Sequence, residues 1–120
     1  MALKNFFSRF TTPVEALDKE RLREFCSSRA GVTGIADVRE RELATVVGEI
    51  SNVRIVPRAD GSPWLEATVT DGTGSLVAMW TGRRRIAGIR PGQRLVLSGR
   101  GSRSGHATRL LIYNPIYELL

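Results

Sequence analysis

With 120 residues, 42% of them hydrophobic and 25% charged, the chain has enough length for one ordinary core and the composition of a globular domain. That excludes wholesale disorder, and the absence of any run approaching the ~18 apolar residues of a membrane helix argues against membrane insertion. The formal net charge of +6 is unevenly placed: residues 1–71 carry ten Lys/Arg against eleven Asp/Glu, and residues 72–120 carry eight Arg against Glu118 alone.

A basic half of this kind favours a polyanionic partner such as nucleic acid. One cysteine, Cys26, and one histidine, His106, leave no internal disulfide and too few ligands for a Cys/His zinc site, so no cofactor or metal is expected. Residues 1–10 lack the apolar core and small-residue cleavage site of a secretory signal, and the expectation is a cytoplasmic protein. Their Phe6, Phe7 and Phe10, set among Lys4 and Arg9, have three open uses: docking on the chain's own or a sister barrel, a partner groove, or a membrane surface.

Thr12, Pro13 and Glu15 form a helix start, with Thr12 as the cap, Pro13 in the first turn and Glu15 completing a capping box. Val14, Leu17, Leu22, Phe25 and Cys26 then recur at helical spacing, which predicts an amphipathic helix over about 13–29 with Cys26 as a buried structural thiol. This helix could close a barrel end or mediate self-association. Residues 1–40 are read as an N-terminal segment and 41–120 as the main domain.

From residue 43 the period changes to two. "LATVVGEISNVRIV" is a long first strand with Val46, Gly48 and Ile50 on one face, and Gly48 predicts a bulge or bend. In "WLEATVTD", Leu65, Ala67 and Val69 alternate with outward Trp64, Glu66, Thr68 and Thr70. "DGTG" is a hairpin turn. In "SLVAMWT", Leu76, Ala78 and Trp80 share the inward parity, leaving Val77, Met79 and Thr81 outward. "GRRRIAGIRPGQ" is a connection with room for one helical turn, "RLVLSGR" is a fourth strand with Leu95, Leu97 and Gly99 inward, and "TRLLIYNPIYEL" is a fifth.

Five strands, the first long and bent, with the longest connection between the third and fourth, predict a mainly β fold: a five-stranded Greek-key barrel preceded by one α-helix. Residues 43–117 resemble an oligonucleotide/oligosaccharide-binding (OB) fold of the nucleic-acid-binding superfamily. The resemblance is carried by Val46-x-Gly48-x-Ile50, Asp71-Gly-Thr-Gly74 with Leu76, and Pro91-Gly92 with Leu95-x-Leu97-x-Gly99. The ending "YNPIYEL" is similar to the close of the wedge-type OB domain of RecG-like helicases, and the whole is similar to small stand-alone OB-fold proteins of actinobacteria.

The resemblance implies a binding face on the second and third strands, bounded by the loops that join strands one to two and four to five. Aromatic platforms for bases and cations for phosphates would be sought there. The candidates are Trp64 and the outward Thr68 and Met79, Arg54 and Arg58 flanking the first loop, Arg103 and Arg109 flanking the last, and Arg83, Arg84 and Arg85 after the third strand.

Two readings stay open for Trp64, a base platform or a plug over the barrel end. Trp80 is core by parity, though a one-residue bulge would turn it outward. The three arginines are either phosphate contacts or a solvated loop. Glu49 and Glu66 on the same face would repel phosphates, and Tyr113 and Tyr117 are assigned to the barrel edge and its seal. With no Ser/His/Asp set and no phosphate-loop motif, the expected function is non-catalytic binding of single-stranded DNA or RNA. The alternative is a protein-interaction or oligomerisation module using Val77, Met79 and the N-terminal segment.

Overall fold

The computed structural model describes residues 13–103 and 109–120. Thr12, the three N-terminal phenylalanines and His106 lie outside the described residues. Helix α1 spans Pro13–Ser27 and ends two residues short of the expected boundary. Ser27 and Ser28 donate side-chain hydrogen bonds to the carbonyls of Glu24 (3.2 Å) and Phe25 (2.7 Å), competing with continuation of the helix.

A six-strand sheet follows, made of β1 (Leu43–Pro57), β2 (Pro63–Thr70), β3 (Ser75–Thr81), β4 (Arg94–Arg103), β5 (Leu110–Tyr113) and β6 (Ile116–Leu119). The order is β1-β2-β3-β5-β4-β6, and an added β1–β4 pairing closes five of the strands into a barrel. β3 and β5 run parallel, whereas the other pairs are antiparallel.

Strand β1 serves both sides of the closure. Its first half pairs with β4 from Leu43↔Arg100 to Glu49↔Arg94, and its second half pairs with β2 from Glu49↔Thr70 to Pro57↔Pro63. The bulge or bend expected at Gly48 falls instead two to four residues later, as a register irregularity between Ile50 and Asn52, and Gly48 itself pairs regularly with Leu95. A Cβ at Gly48 would collide with the Val69 side chain and lie 3.0 Å from the Thr70 carbonyl oxygen, so only glycine allows the strand to cross this closely.

The predicted fifth strand is broken in two. Asn114 takes a left-handed conformation (φ 49°), and Pro115 cannot donate to the ladder. The pieces on either side both run along β4, β5 on Gly101 to Arg103 and β6 on Leu95 to Ser98. The connection over residues 82–93 consists of turns and contains no helix.

Inside the barrel, Val46, Ile50, Leu65, Ala67, Val69, Leu76, Ala78, Trp80, Leu95, Leu97, Leu110 and Ile112 form one core. Trp80 is only 6% exposed and meets Tyr117 of β6 edge-on at 5.8 Å, which fixes its direction. Val77 and Met79 depart from expectation: both are buried although they face out of the barrel. β3 lies in the middle of this face, between β2 and β5.

Helix α1 packs on β1 and on the β2–β3 turn, where a Cβ on Gly72 would lie 2.7 Å from the Lys19 carbonyl oxygen. Cys26 is buried there as expected, but Val14, Leu17 and Phe25 of the same stripe are 60%, 48% and 40% exposed. Asp71 fixes this end. Its buried carboxylate accepts from Ile35 N (2.8 Å), Thr73 N (2.9 Å), Thr73 Oγ1 (2.7 Å) and Gly74 N (3.1 Å), tying the hairpin turn to the short 3-10 helix Ile35–Asp37.

Candidate nucleic-acid interface

Across the outer face of the sheet, the ladder aligns Arg54, Glu66, Met79 and Tyr113 from β1, β2, β3 and β5, with Trp64 two pairs further along opposite Thr81. Trp64 is half-buried, and Tyr113 meets it edge-on with centroids 6.0 Å apart and planes at 82°. The Arg58 guanidinium stacks on the Trp64 ring, 3.8 Å from its centroid.

The β1–β2 loop holds Arg58 in place. Arg58 N donates to Ser62 O (3.0 Å), and Gly61, at φ 83°, donates to Arg58 O (2.9 Å). Asp60 Oδ1 accepts from Ser62 N (2.9 Å) and Ser62 Oγ (2.7 Å), and these bonds hold its carboxyl below the usual range. At the other end of the face, Asn114 Oδ1 accepts from Thr81 N (3.0 Å) while Asn114 N donates to Met79 O (2.6 Å). These bonds fasten the end of β5 to β3 and carry Tyr113 to Trp64.

The environment of Glu66 reverses the expectation that it repels phosphates. It is buried and accepts from Arg54 Nε (3.1 Å) and Arg109 Nη2 (3.2 Å). Two cations on one carboxylate leave the group net positive. Because β3 separates Glu66 from the start of β5, the Arg109 side chain must cross the outer surface of β3, which explains why Val77 and Met79 are covered. Glu49 is likewise paired, with Arg94 Nε at 3.2 Å.

The structure therefore brings Arg54, Arg58, Trp64 and Arg109 onto one face, with half-buried Thr68 two register pairs from the Glu66–Met79 row. Met79 lies in the same row but is covered, and cannot serve as an apolar contact without rearrangement. Arg103 is exposed at the end of β4. Arg83, Arg84 and Arg85 are exposed in the β3–β4 connection, and Arg84 and Arg85 line a cleft beside the second half of β1. Sequence reasoning missed Tyr113 as part of the face; its outward parity opposite Leu110 and Ile112 was the available signal.

Solved structures share the overall shape of this barrel. The chain superposes on a structure of RecG bound to a three-way DNA junction with TM-score 0.63 and 18% identity, over 85% of this chain and 14% of that one. The fold is an OB barrel. A second match is the second OB-fold domain of replication protein A from Methanococcus maripaludis, with TM-score 0.55 and 17% identity, over 73% of this chain and 93% of that domain. The chain thus spans a small part of RecG and nearly all of an isolated OB domain. No protein-family model and no curated protein sequence matches it. Among the described residues, no helix is long and apolar enough to cross a membrane.

Proposed function

We propose that this OB domain is a non-catalytic binder of single-stranded DNA or RNA, which lies across the outer face of β2, β3 and β5. The observation that carries the proposal is the Arg58–Trp64–Tyr113 cluster beside Arg54 and Arg109. Trp64 and Tyr113 offer ring surfaces for unstacked bases, which duplex DNA does not present. Arg54, Arg58 and Arg109 supply guanidinium forks for phosphates. Arg83, Arg84, Arg85 and Arg103 add attraction from the rims. RecG's complex with a DNA junction is in keeping with this use of the fold.

The test is a titration with single-stranded and duplex oligonucleotides, in DNA and RNA form, at about 50 and about 200 mM salt while tryptophan emission is followed. Saturable single-strand binding should quench Trp64, weaken with salt, and fall about tenfold or more in Trp64→Ala, as loss of one stacked base implies. No saturable binding at the lower salt would refute the proposal. A second reading, self-association through α1, draws on exposed Val14 and Leu17. Light scattering that gives a monomer mass at high concentration would remove it.

A further inference from the structure

The second half of β1 has a free edge. Asn52 to Pro57 pair with β2 on one side, and among the described residues no strand pairs with the other side. The connection over residues 82–93 arches past this edge, and its described backbone hydrogen bonds to the sheet lie at its two ends. Gly82 N is bonded to Pro63 O (2.9 Å) at the start of the arch, and Gly92 N and Ile50 N exchange bonds with Ile50 O (2.7 Å) and Gln93 O (2.9 Å) at its end.

Between edge and arch lies a cleft of about 320 Å³. Val53, Ile55, Leu65, Ile86 and Ile89 form its apolar floor, and Arg54, Arg84 and Arg85 stand at its rim. Ile55, facing into it, is 51% exposed.

We propose that this cleft takes an extended peptide of alternating apolar and acidic residues, which pairs with β1 as an added strand. Three features select that occupant. An unpaired edge offers backbone N–H and C=O groups in strand geometry, which a peptide satisfies and a nucleic acid does not. The floor is aliphatic throughout, with no ring on which a base could stack, so alternate peptide side chains such as Ile or Val fit it. The rim carries Arg84 and Arg85, both exposed, and Arg54, which is already paired with Glu66, and this positive rim calls for acidic side chains at the positions between. A second copy pairing edge to edge would bring those arginines against their own equivalents, so the partner is not this chain.

The probe is a fluorescein-labelled peptide of eight residues alternating Glu or Asp with Ile or Val, added to the full-length protein and read by anisotropy. Binding should weaken at least about tenfold in Ile55→Asp and, independently, in the Arg84→Gln/Arg85→Gln double variant. A peptide with lysine in place of its acids should not bind. Amide shifts on titration should fall on residues 52–56, and Ile55→Asp should still bind a single-stranded oligonucleotide. Absence of peptide binding overturns the proposal. So do shifts confined to Trp64 and Tyr113, which would make the peptide a mere anion on the other face. Shifts at residues 52–56 produced by an oligonucleotide and not by the peptide would overturn it as well.

Discussion

Glu66 holds two arginines that would otherwise be fully available to a phosphate. The Arg54 and Arg109 side chains are both more than half exposed, so each pair contributes at most about 1 kcal/mol to stability. Freed from the carboxylate, the same guanidiniums can form charge-assisted bonds with the ligand. Glu66→Gln is therefore expected to raise affinity for a single-stranded oligonucleotide at low salt. It should also steepen the plot of log K against log salt by about one phosphate contact, measured by fluorescence titration. Weaker binding by the variant would mean that the carboxylate's main effect is to order the arginines. Cys26 is a second informative residue. Burial first, then the Asp71 charge, pushes its thiol from 9.0 up to about 11. The folded chain thus retains a proton that the unfolded chain releases, so stability declines as pH rises from 9.0 toward about 11. Urea melts across that range should show a smaller decline in Cys26→Ala.

The bent β1 makes the barrel possible, and Gly48 is its narrowest point. Adding one methyl there forces Val69 or the Thr70 backbone to move. Gly48→Ala should cost about 1–3 kcal/mol in chemical denaturation, as overpacking does elsewhere. A cost near zero would mean that the strands can separate without loss. That glycine has a special place in this strand was legible, but as a bulge or bend; the structure's reason is instead the close crossing of Val69 and Thr70. Alternation likewise revealed the inward set of β2, β3 and β4, including Trp80. It could not reveal the burial of Val77 and Met79, since parity tells which way a side chain points and not what lies over it. The covering side chain, Arg109, comes from a distant stretch that reaches β3 only through a parallel pairing. The outward parity of Tyr113 was legible, but its contact with Trp64, remote in sequence, was not. In α1 the helical spacing was legible, whereas the exposure of Val14 and Leu17 depends on where the helix is seated.

Taken as a whole, the molecule presents two differently built surfaces on one barrel. One combines rings and cations on an open sheet face, and the other combines an aliphatic cleft, a free edge and cations, with Arg54 on both. The excess of arginine in residues 72–120 feeds both surfaces, because the arch and the start of β5 lie in that half.

The divided loyalty of β1 also governs how the chain reaches this state. Its second half finds β2 across a short loop, but its first half must wait for β4, as in Val46↔Leu97, about fifty residues further along. Until those segments meet, Val46 and Val47 are apolar strand residues with nothing to pair with, and the entropy of closing so long a loop is lost before any contact offsets it. Stopped-flow refolding should therefore run in milliseconds to seconds, not the microseconds of a local hairpin.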